Sequence, residues 1–544
     1  MIKNILKKIF TYTPPAVPER FEPDDDNTIE YDSRSDKEIK KEYVFKECDK
    51  NFDYMQRRFR VPDNNDIVMR KIMLKGDRKA FVMFIEGMIV TQYADDNIIK
   101  PLIELPYIED SELKDKMTEK FTTHAQMRET DDFDVICDDI NFGSCVLFID
   151  GSEKAYLFDV RGWEHRSIGK PDNEQSIYGP QEAFSEMLRT NTALVRKIVK
   201  TEKLVALGIS AGKVSKTRGV LLYLDGITND KLVHEIKRRI DSVATDYIIS
   251  SEELKMFIED KSALITPQII ATERPDRAAR ALTQGRCVLI LNGSPRALIL
   301  PSNAFELMHA VSDEYLSVPF AVMSRVIRLI GMFVSLLLPA LYLAITLYHQ
   351  EVIPTYLLYS ISASRENVPF PSLIELLLMD IAFELIREAG IRMPSPIGST
   401  LGIVGGLILG QAAVTARIVS PIMIIVIAIT GIGSFSTSDY SLGWTYRVLR
   451  LGFIFLAAGL GFFGIAAGIV IYSLYIGSIK SFGVPFLSPS FHYRNTSMES
   501  AVVINNIWSR EKRPDYLKAR DNKTEAKISR QWLVRNRRRR NGDK

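Results

Sequence analysis

VPFPSLIELLLMDIAFELIREAGIRMPSPIGSTLGIVGGLILGQAAVTARIVSPIMIIVIAITGIGSF, residues 368–435, decides how the rest of the chain is read. It opens on Pro369 and Pro371 and continues into a charged stretch of helical spacing from Ser372 to Ala389. It breaks at Pro394-Ser-Pro396, then runs on as two apolar segments separated by Arg417. Charged side chains set among membrane-length segments are costly in lipid, so they face a protein interior or a water-filled path. The stretch therefore predicts the working core of a membrane protein, to which a large polar N-terminal half reports.

Working outward toward the C-terminus, Leu329–Tyr348, Ile397–Ala416, Ile418–Ser438 and Leu451–Ile479 contain no Asp, Glu, Lys or Arg. Each is long enough to cross a bilayer core. Arg325 and Arg328 stand before the first run, and Arg535 and Arg537 to Arg540 lie in the tail. Basic flanks mark the cytoplasmic side. Both ends of a membrane domain over 321–480 are thus expected in the cytoplasm, which requires an even number of crossings. Four runs predict four crossings, with Arg417 at a cytoplasmic turn and Ser434 to Tyr440 outside. The helix 372–389 is left over and is expected to be re-entrant or partly buried. A basic cytoplasmic tail follows over 481–544. Its arginines suit anionic lipid, and nucleic acid is not expected as a partner.

Toward the N-terminus, residues 1–38 are proline-rich and then acidic, which predicts a flexible lead-in. Met1 to Phe10 carries Lys3, Lys7 and Lys8 and lacks the clean apolar core of a secretory signal. The cysteines Cys48, Cys137, Cys145 and Cys287 show no CxxC spacing and fit reduced thiols in the cytoplasm. Cys145-Val-Leu-Phe-Ile-Asp-Gly151 is answered by Ala155-Tyr-Leu-Phe158, a hairpin signal. Cys287-Val-Leu-Ile-Leu-Asn-Gly293, answered by Ala297-Leu-Ile-Leu300, repeats it 142 residues later. A strand–helix pattern beginning at Phe81 recurs 139 residues on, at Val220. Two offsets this close predict a duplication. The expected fold is an α/β cytoplasmic region of two related subdomains, 39–178 and 205–320, joined by a helical linker over 179–204. An all-α polytopic transmembrane domain follows.

Two constellations carry the functional expectation. Asp380, Glu384, Arg387 and Glu388 recur at three- and four-residue spacing and share a helix face, with Glu375 elsewhere on the circumference. Together with Pro369 and Pro371 they are the candidate pore or gate, because acidic rings select cations. An interfacial helix with a wet charged face, or Glu384–Arg387 pairing for structure alone, gives the same pattern. Gly398, Gly402, Gly406 and Gly410 form a small-residue stripe for close helix packing, around an oligomer axis or within one chain. Gly464 and Gly468 repeat the spacing once.

Other motifs fall away. Gly208-Ile-Ser-Ala-Gly-Lys213 has the wrong spacing for a phosphate loop and Val214 where a hydroxyl residue belongs. Asp131, Asp132, Asp134, Asp138 and Asp139 lack a calcium-loop register and read as a solvated face. The six histidines have no ligand spacing. The expectation is no enzyme, no metal and no cofactor.

Several long stretches resemble one family. Gly179-Pro-Gln-Glu-Ala-Phe-Ser-Glu-Met-Leu-Arg-Thr-Asn-Thr-Ala-Leu-Val-Arg-Lys-Ile-Val-Lys200 resembles the linker signature of the A subunits of spore germination receptors, the GerA family. So do Gly285 to Pro295 with Pro301, Pro369 to Asp380, Glu384 to Pro394 and Ile397 to Gly406. The resemblance covers about residues 40 to 510. It implies a multi-pass protein of the spore inner membrane that acts with a transporter-like B subunit and a lipoprotein C subunit. It further implies a homo-oligomer, a pentamer, that responds to nutrients as a ligand-gated monovalent cation channel and triggers germination. A paralogous branch of the family that amplifies germination, and a non-conducting membrane scaffold, are the alternatives.

Overall fold

A computed structural model describes residues 42–104, 127–160, 169–260, 265–392, 406, 408, 410–488, 504 and 512–524. The lead-in, Pro394 to Pro396, Gly398, Gly402 and the arginines at 535–540 lie outside the described residues.

The N-terminal half is built from two units of one topology. In the first, α1 (Cys48–Arg58) precedes β1 (Ile67–Leu74) and β2 (Arg78–Ile85). A helical segment α2 (91–104), β3 (Met127–Thr130), α3 (Phe133–Phe142), β4 (Cys145–Ile149) and β5 (Ala155–Phe158) follow. The second begins with α4 (Leu188–Ile198), β6 (Leu204–Ala211), β7 (Thr217–Leu224) and α5 (Asp230–Asp241). It adds α6 (Ser251–Ile258), then completes the pattern with β8 (Ile270–Thr272), α7 (Pro275–Thr283), β9 (Cys287–Leu291) and β10 (Ala297–Leu300). Both sheets are antiparallel, ordered β1-β2-β4-β5-β3 and β6-β7-β9-β10-β8. The central strands are buried on both faces, which explains their continuous apolar runs. In the first unit α1 and α3 cover one face through Met55, Phe133 and Ile136, and α2 covers the other through Ile98 and Leu102.

The repetition extends to single hydrogen bonds. Asn51 accepts from the Phe45 amide at 2.8 Å and donates to the Phe45 carbonyl at 2.6 Å. Asn191 does the same to Ser185, at 2.7 and 2.6 Å. Asp150 and Asn292, in the turns after β4 and β9, accept from the first amides of α1 and α4, Cys48 and Leu188. Gly151 and Gly293, both at positive φ, donate to the Lys46 and Glu186 carbonyls. The segment expected as a helical linker thus holds α4, which occupies the place in the second unit that α1 has in the first. Helix α4 also joins the units. Arg196 forms a buried two-pronged pair with Asp66, at 2.5 and 2.7 Å, and reaches Asn64 at 3.1 Å. Asn64 in turn accepts from the Ala206 amide at the edge of β6. The acidic cluster is spent locally: Asp132 caps α3, Asp134 pairs with Arg58 and Asp139 with Arg128.

A helical layer follows. α8 (Ala304–Met308) leads into α9 (Val318–Leu347), then α10 (Thr355–Arg365), α11 (Ser372–Arg392) and, beyond helical residues 410–415, α12 (Pro421–Phe435). The last apolar stretch, Tyr440–Gly477, carries a non-helical break at Gly461, with φ 59° and ψ −138°. That break is a reversal. Both Thr445 and Tyr475 hydrogen-bond the Ile265 peptide, at 2.8 and 3.0 Å. On a straight helix, 30 residues separate ends by about 45 Å. A Cβ on Gly464 would strike the Leu456 carbonyl, and one on Gly468 the Phe453 ring. The stretch is therefore an antiparallel pair, α13 (440–460) and α14 (462–477), whose glycines let the arms touch. Among the described residues, Val318–Leu347 and Tyr440–Gly477 are long and apolar enough to cross a membrane by length and composition.

Tracing the chain through this layer corrects the expected turns. α9 starts beside the soluble region and ends at Tyr348 and His349, where His349 stacks on Phe462 at 4.5 Å. The starts of α11 and α12 meet at that far end, where the Ser420 amide donates to Glu375. Their C-terminal ends meet at the near end through Arg387 and Ser434, and Ser438 donates to Met308 of α8. Ser434 to Tyr440 thus lies beside the soluble region, and Arg417, 3.5 Å from Asn367, at the opposite end. The count differs because α11 traverses the layer and because Gly461 divides one run into two arms. Among the described residues, α9, α11, α12, α13 and α14 each run between the two ends of the layer. Of the packing glycines, Gly410 is buried and a Cβ on it would lie 3.8 Å from Ile424 of α12, while Gly406 is exposed.

After α14, β11 (Lys480–Ser481) and β12 (Val484–Pro485) pair, and residues 512–524 dock on the second unit. There Tyr516 accepts from Arg286 and Asn303, at 2.8 and 2.9 Å.

Spin labels on Thr445→Cys and Tyr475→Cys will report a short distance, within about 20 Å once label length is allowed for, against about 45 Å for a continuous helix. A reading near the longer value by double electron–electron resonance would refute the hairpin.

Candidate functional site

The charged face of α11 is answered by α13. Asp380 and Glu384, one turn apart, both meet the Nη2 of Arg450, at 2.8 and 2.9 Å. Arg447, one turn earlier on α13, stands 3.8 Å from Glu384. Arg387 lies 3.5 Å from Glu384, donates to Ser434 of α12, and sits over the rings of Phe383 and Phe435 at 5.1 and 4.7 Å. Burial is steep: Arg450 is 1% exposed and Asp380 3%. The cluster holds three guanidiniums against two carboxylates. The Nε and Nη1 of Arg450 and the Nε of Arg387 have no hydrogen-bond partner among the described residues. Glu388 pairs outward with Arg392 at 2.7 Å.

Beside this cluster a cavity of about 390 Å³ runs between α11 and α13. Asp380, Glu384, Arg447 and Arg450 contribute to its lining, and Ile381, Leu385, Trp444, Val448 and Leu451 are its apolar side chains. The exposed stripe of α11 is Ile374, Leu378, Ile381 and Leu385.

Glu375 stands apart from its expected companions. Fully buried at the far end, it accepts from the Ser420 amide at 2.5 Å and so caps the start of α12. Its second oxygen is 4.0 Å from the Arg365 Nε of α10. Pro371 fixes where α11 begins, since its carbonyl receives the Glu375 amide at 3.0 Å. Pro369 is exposed in the link from α10. The structure thus joins Asp380, Glu384 and Arg387 in one site and places Glu375 and Pro371 in another. Sequence reading missed Arg447 and Arg450. Their signal was two arginines three residues apart just before an uncharged run, taken there only as its boundary.

The near end ties this layer to the second soluble unit. Asp313, buried, receives the Arg325 Nε at 3.1 Å and also Arg328. Arg328 further reaches Met308 and Ser438, at 3.1 and 2.9 Å. Tyr315 donates to Asp276 of α7 at 2.5 Å. Burial raises the Asp276 carboxyl, but hydrogen bonds from Arg274 and Tyr315 outweigh it and hold the group below its ordinary value of 3.8. All four cysteines are free and buried. Burial, with Asp150 and Asp49 beside it, pushes the Cys48 thiol up to about 12.

With this geometry in hand, relatives can be weighed. The family described as Bacillus/Clostridium GerA spore germination protein matches residues 53–516. Spore germination protein KA of Bacillus subtilis (strain 168) is 33% identical over 472 residues, covering 86% of this chain and 87% of that protein. Spore germination protein A1 of the same organism is 34% identical over 444 residues, covering 82% and 91%. Uncharacterized membrane protein YfkQ, also from that strain, is 35% identical over 450 residues, covering 83% and 88%. The crystal structure of the N-terminal domain of the A subunit of the Bacillus megaterium spore germinant receptor GerK3 aligns at 25% identity and a TM-score of 0.38. It covers 48% of this chain and 96% of that one. The chain belongs to the GerA spore germination protein family, the class whose named members are A-type spore germination proteins.

Two outcomes follow from the site. Glu375→Gln keeps an acceptor for the Ser420 amide, whereas Glu375→Ala orphans it, so the alanine variant will be less stable by about 1–3 kcal/mol. Thermal unfolding in detergent checks this; equal midpoints for both variants would remove the capping role. Because the Asp276 value is depressed, its contribution to stability is complete above pH 3.8 and is lost as pH falls through the folded-state value. Asp276→Asn will therefore flatten part of the acid limb of the stability profile, read from unfolding midpoints between about pH 5 and 2.

Proposed function

We propose that the chain is the A subunit of a nutrient-responsive spore germination receptor. It oligomerises in the spore inner membrane as a ligand-gated monovalent cation channel that triggers germination. The traverses of the helical layer are membrane crossings, with the two α/β units and the docked tail on the cytoplasmic side. A transporter-like B subunit and a lipoprotein C subunit complete the receptor. Membership of the family supports the receptor role. One observation carries the channel role: buried Asp380 and half-buried Glu384 converge on one nitrogen within the helical layer, beside a cavity of about 390 Å³. Carboxylates at such depth mark ion paths and are otherwise expensive to keep.

The pairing of both carboxylates with Arg450 favours a second reading, a membrane scaffold in which the cluster only fastens α11 to α13. The two separate in one experiment. In spores carrying Asp380→Asn with Glu384→Gln at normal protein level, nutrient-triggered K⁺ release will slow by about ten-fold or more. Unchanged release kinetics, with the variant correctly assembled, would favour the scaffold.

A further inference from the structure

We infer that Arg450 is the tethered counter-cation of this site: its guanidinium sits where a permeating monovalent cation would sit, and conduction requires α13 to withdraw it. The inference rests on the channel reading above. A single nitrogen, Nη2, lies 2.8 Å from Asp380 and 2.9 Å from Glu384, so two carboxylates from successive turns converge on one point of positive charge. Remove that charge and buried Asp380 loses its ion-pair partner among the described residues, while Glu384 keeps Arg387 and Arg447 at 3.5 and 3.8 Å; a buried carboxylate left so draws in a free cation or a proton. Arg387 reaches Glu384 but is held on the α12 side by Ser434, Phe383 and Phe435. Arg447 touches only Glu384, and its guanidinium lies over Trp444 at 4.4 Å.

The withdrawal has a handle. Thr445, five residues before Arg450, donates to the Ile265 carbonyl, while the Ile265 amide donates to Tyr475 on the other arm. One residue of the second unit, through its amide and its carbonyl, therefore holds both arms of the hairpin. Displacing that residue moves α13 along α11 by way of the arm that carries Arg450. Among the described residues the Nε and Nη1 of Arg450 have no hydrogen-bond partner, so its hold on the site is the single nitrogen Nη2.

The test uses the full chain, purified in detergent and reconstituted in K⁺-loaded liposomes, with Arg450→Cys as the probe. The four native cysteines are buried, so an added thiol facing the cavity is the one reagents reach. Arg450→Cys is expected to leak K⁺ about ten-fold faster than the unsubstituted chain. Aminoethyl methanethiosulfonate, which restores a positive charge, will close the leak; the neutral methyl reagent will not. Arg450→Lys will stay tight. Asp380→Asn with Glu384→Gln and Arg450→Gln removes the two carboxylates that would draw in a cation, so it will not leak; Arg387 and Arg447 keep their charge beside the neutralised position 384, and size-exclusion chromatography checks that this variant assembles. Tight liposomes from a correctly assembled Arg450→Cys oligomer overturn the inference, as does closure by both reagents alike or an equal leak from the triple variant. The channel reading is scored separately, by nutrient-triggered K⁺ release from spores. Release by the unsubstituted chain together with a tight Arg450→Cys variant removes the plug and leaves the channel. No K⁺ flux through the chain in either setting removes both.

Discussion

The buried pairing of Arg450 with Asp380 and Glu384 constrains everything around it. Three guanidiniums and two carboxylates inside a helical layer are tolerable only if each finds a partner, and removing one side of such a pair costs about 3–5 kcal/mol. That requirement fixes the register of α13 against α11, because only one rotation brings both positions 447 and 450 to face 380 and 384. It also fixes the tilt of α11 against α12 through Arg387 and Ser434. Apolar packing alone would not choose: the stripe of Ile374, Leu378, Ile381 and Leu385 could slide by a turn at little loss. Charge supplies the specificity that leucine and isoleucine leave open.

The second constraint is the reversal at Gly461. A Cβ at that position would lie 3.0 Å from His349 and 3.2 Å from Tyr348, and its backbone occupies a region that side chains avoid. The reversal places both arms against α9 and returns the chain to the soluble region, where Ile265 holds them together. Arg450 is thereby carried on an arm fastened at both ends, by the far-end contact with His349 and by the near-end peptide. An ion pair on a free helix end would fluctuate; on this arm it has a defined position.

Much of the soluble fold was legible because it depends on local pattern. The hairpins at Cys145 and Cys287 are short apolar runs with Asp-Gly and Asn-Gly turns, and the 139- and 142-residue offsets land on equivalent strands. What escaped was information carried by distant partners. Asn51 and Asn191 look like ordinary polar residues in their helices until each is seen bracketing a backbone six residues earlier. Gly461 is one glycine among Gly459, Gly464 and Gly468, and nothing local separates a packing glycine from a turning one. The charged face of α11 was visible, but its neutralisation came from arginines about 65 residues away, which helical periodicity cannot connect. Glu375 shared the face's chemistry yet belongs to another contact, because a helix of 21 residues reaches both ends of the layer.

The two units of the duplication are joined to the helical layer differently. Both units share a sheet, flanking helices and the same asparagine clamp, yet their surroundings differ. The second unit is the origin of α8, holds both arms of the hairpin at Ile265, meets the segment between α8 and α9 through Asp276 and Tyr315, and receives the tail at Arg286. The first meets the second through Asn64 and Asp66 on Arg196, with Glu86 on Arg189, Arg58 beside Glu202 and Arg60 on Asp225 around them. A displacement of the first unit must therefore pass through α4 and the edge of β6 before it reaches a helix. β6 lies in the same sheet as β7, β9 and β10, so the rigid sheet carries that displacement to β10 and the entry to α9. The junctions of the first unit thus lie on the second, and those of the second on the helices.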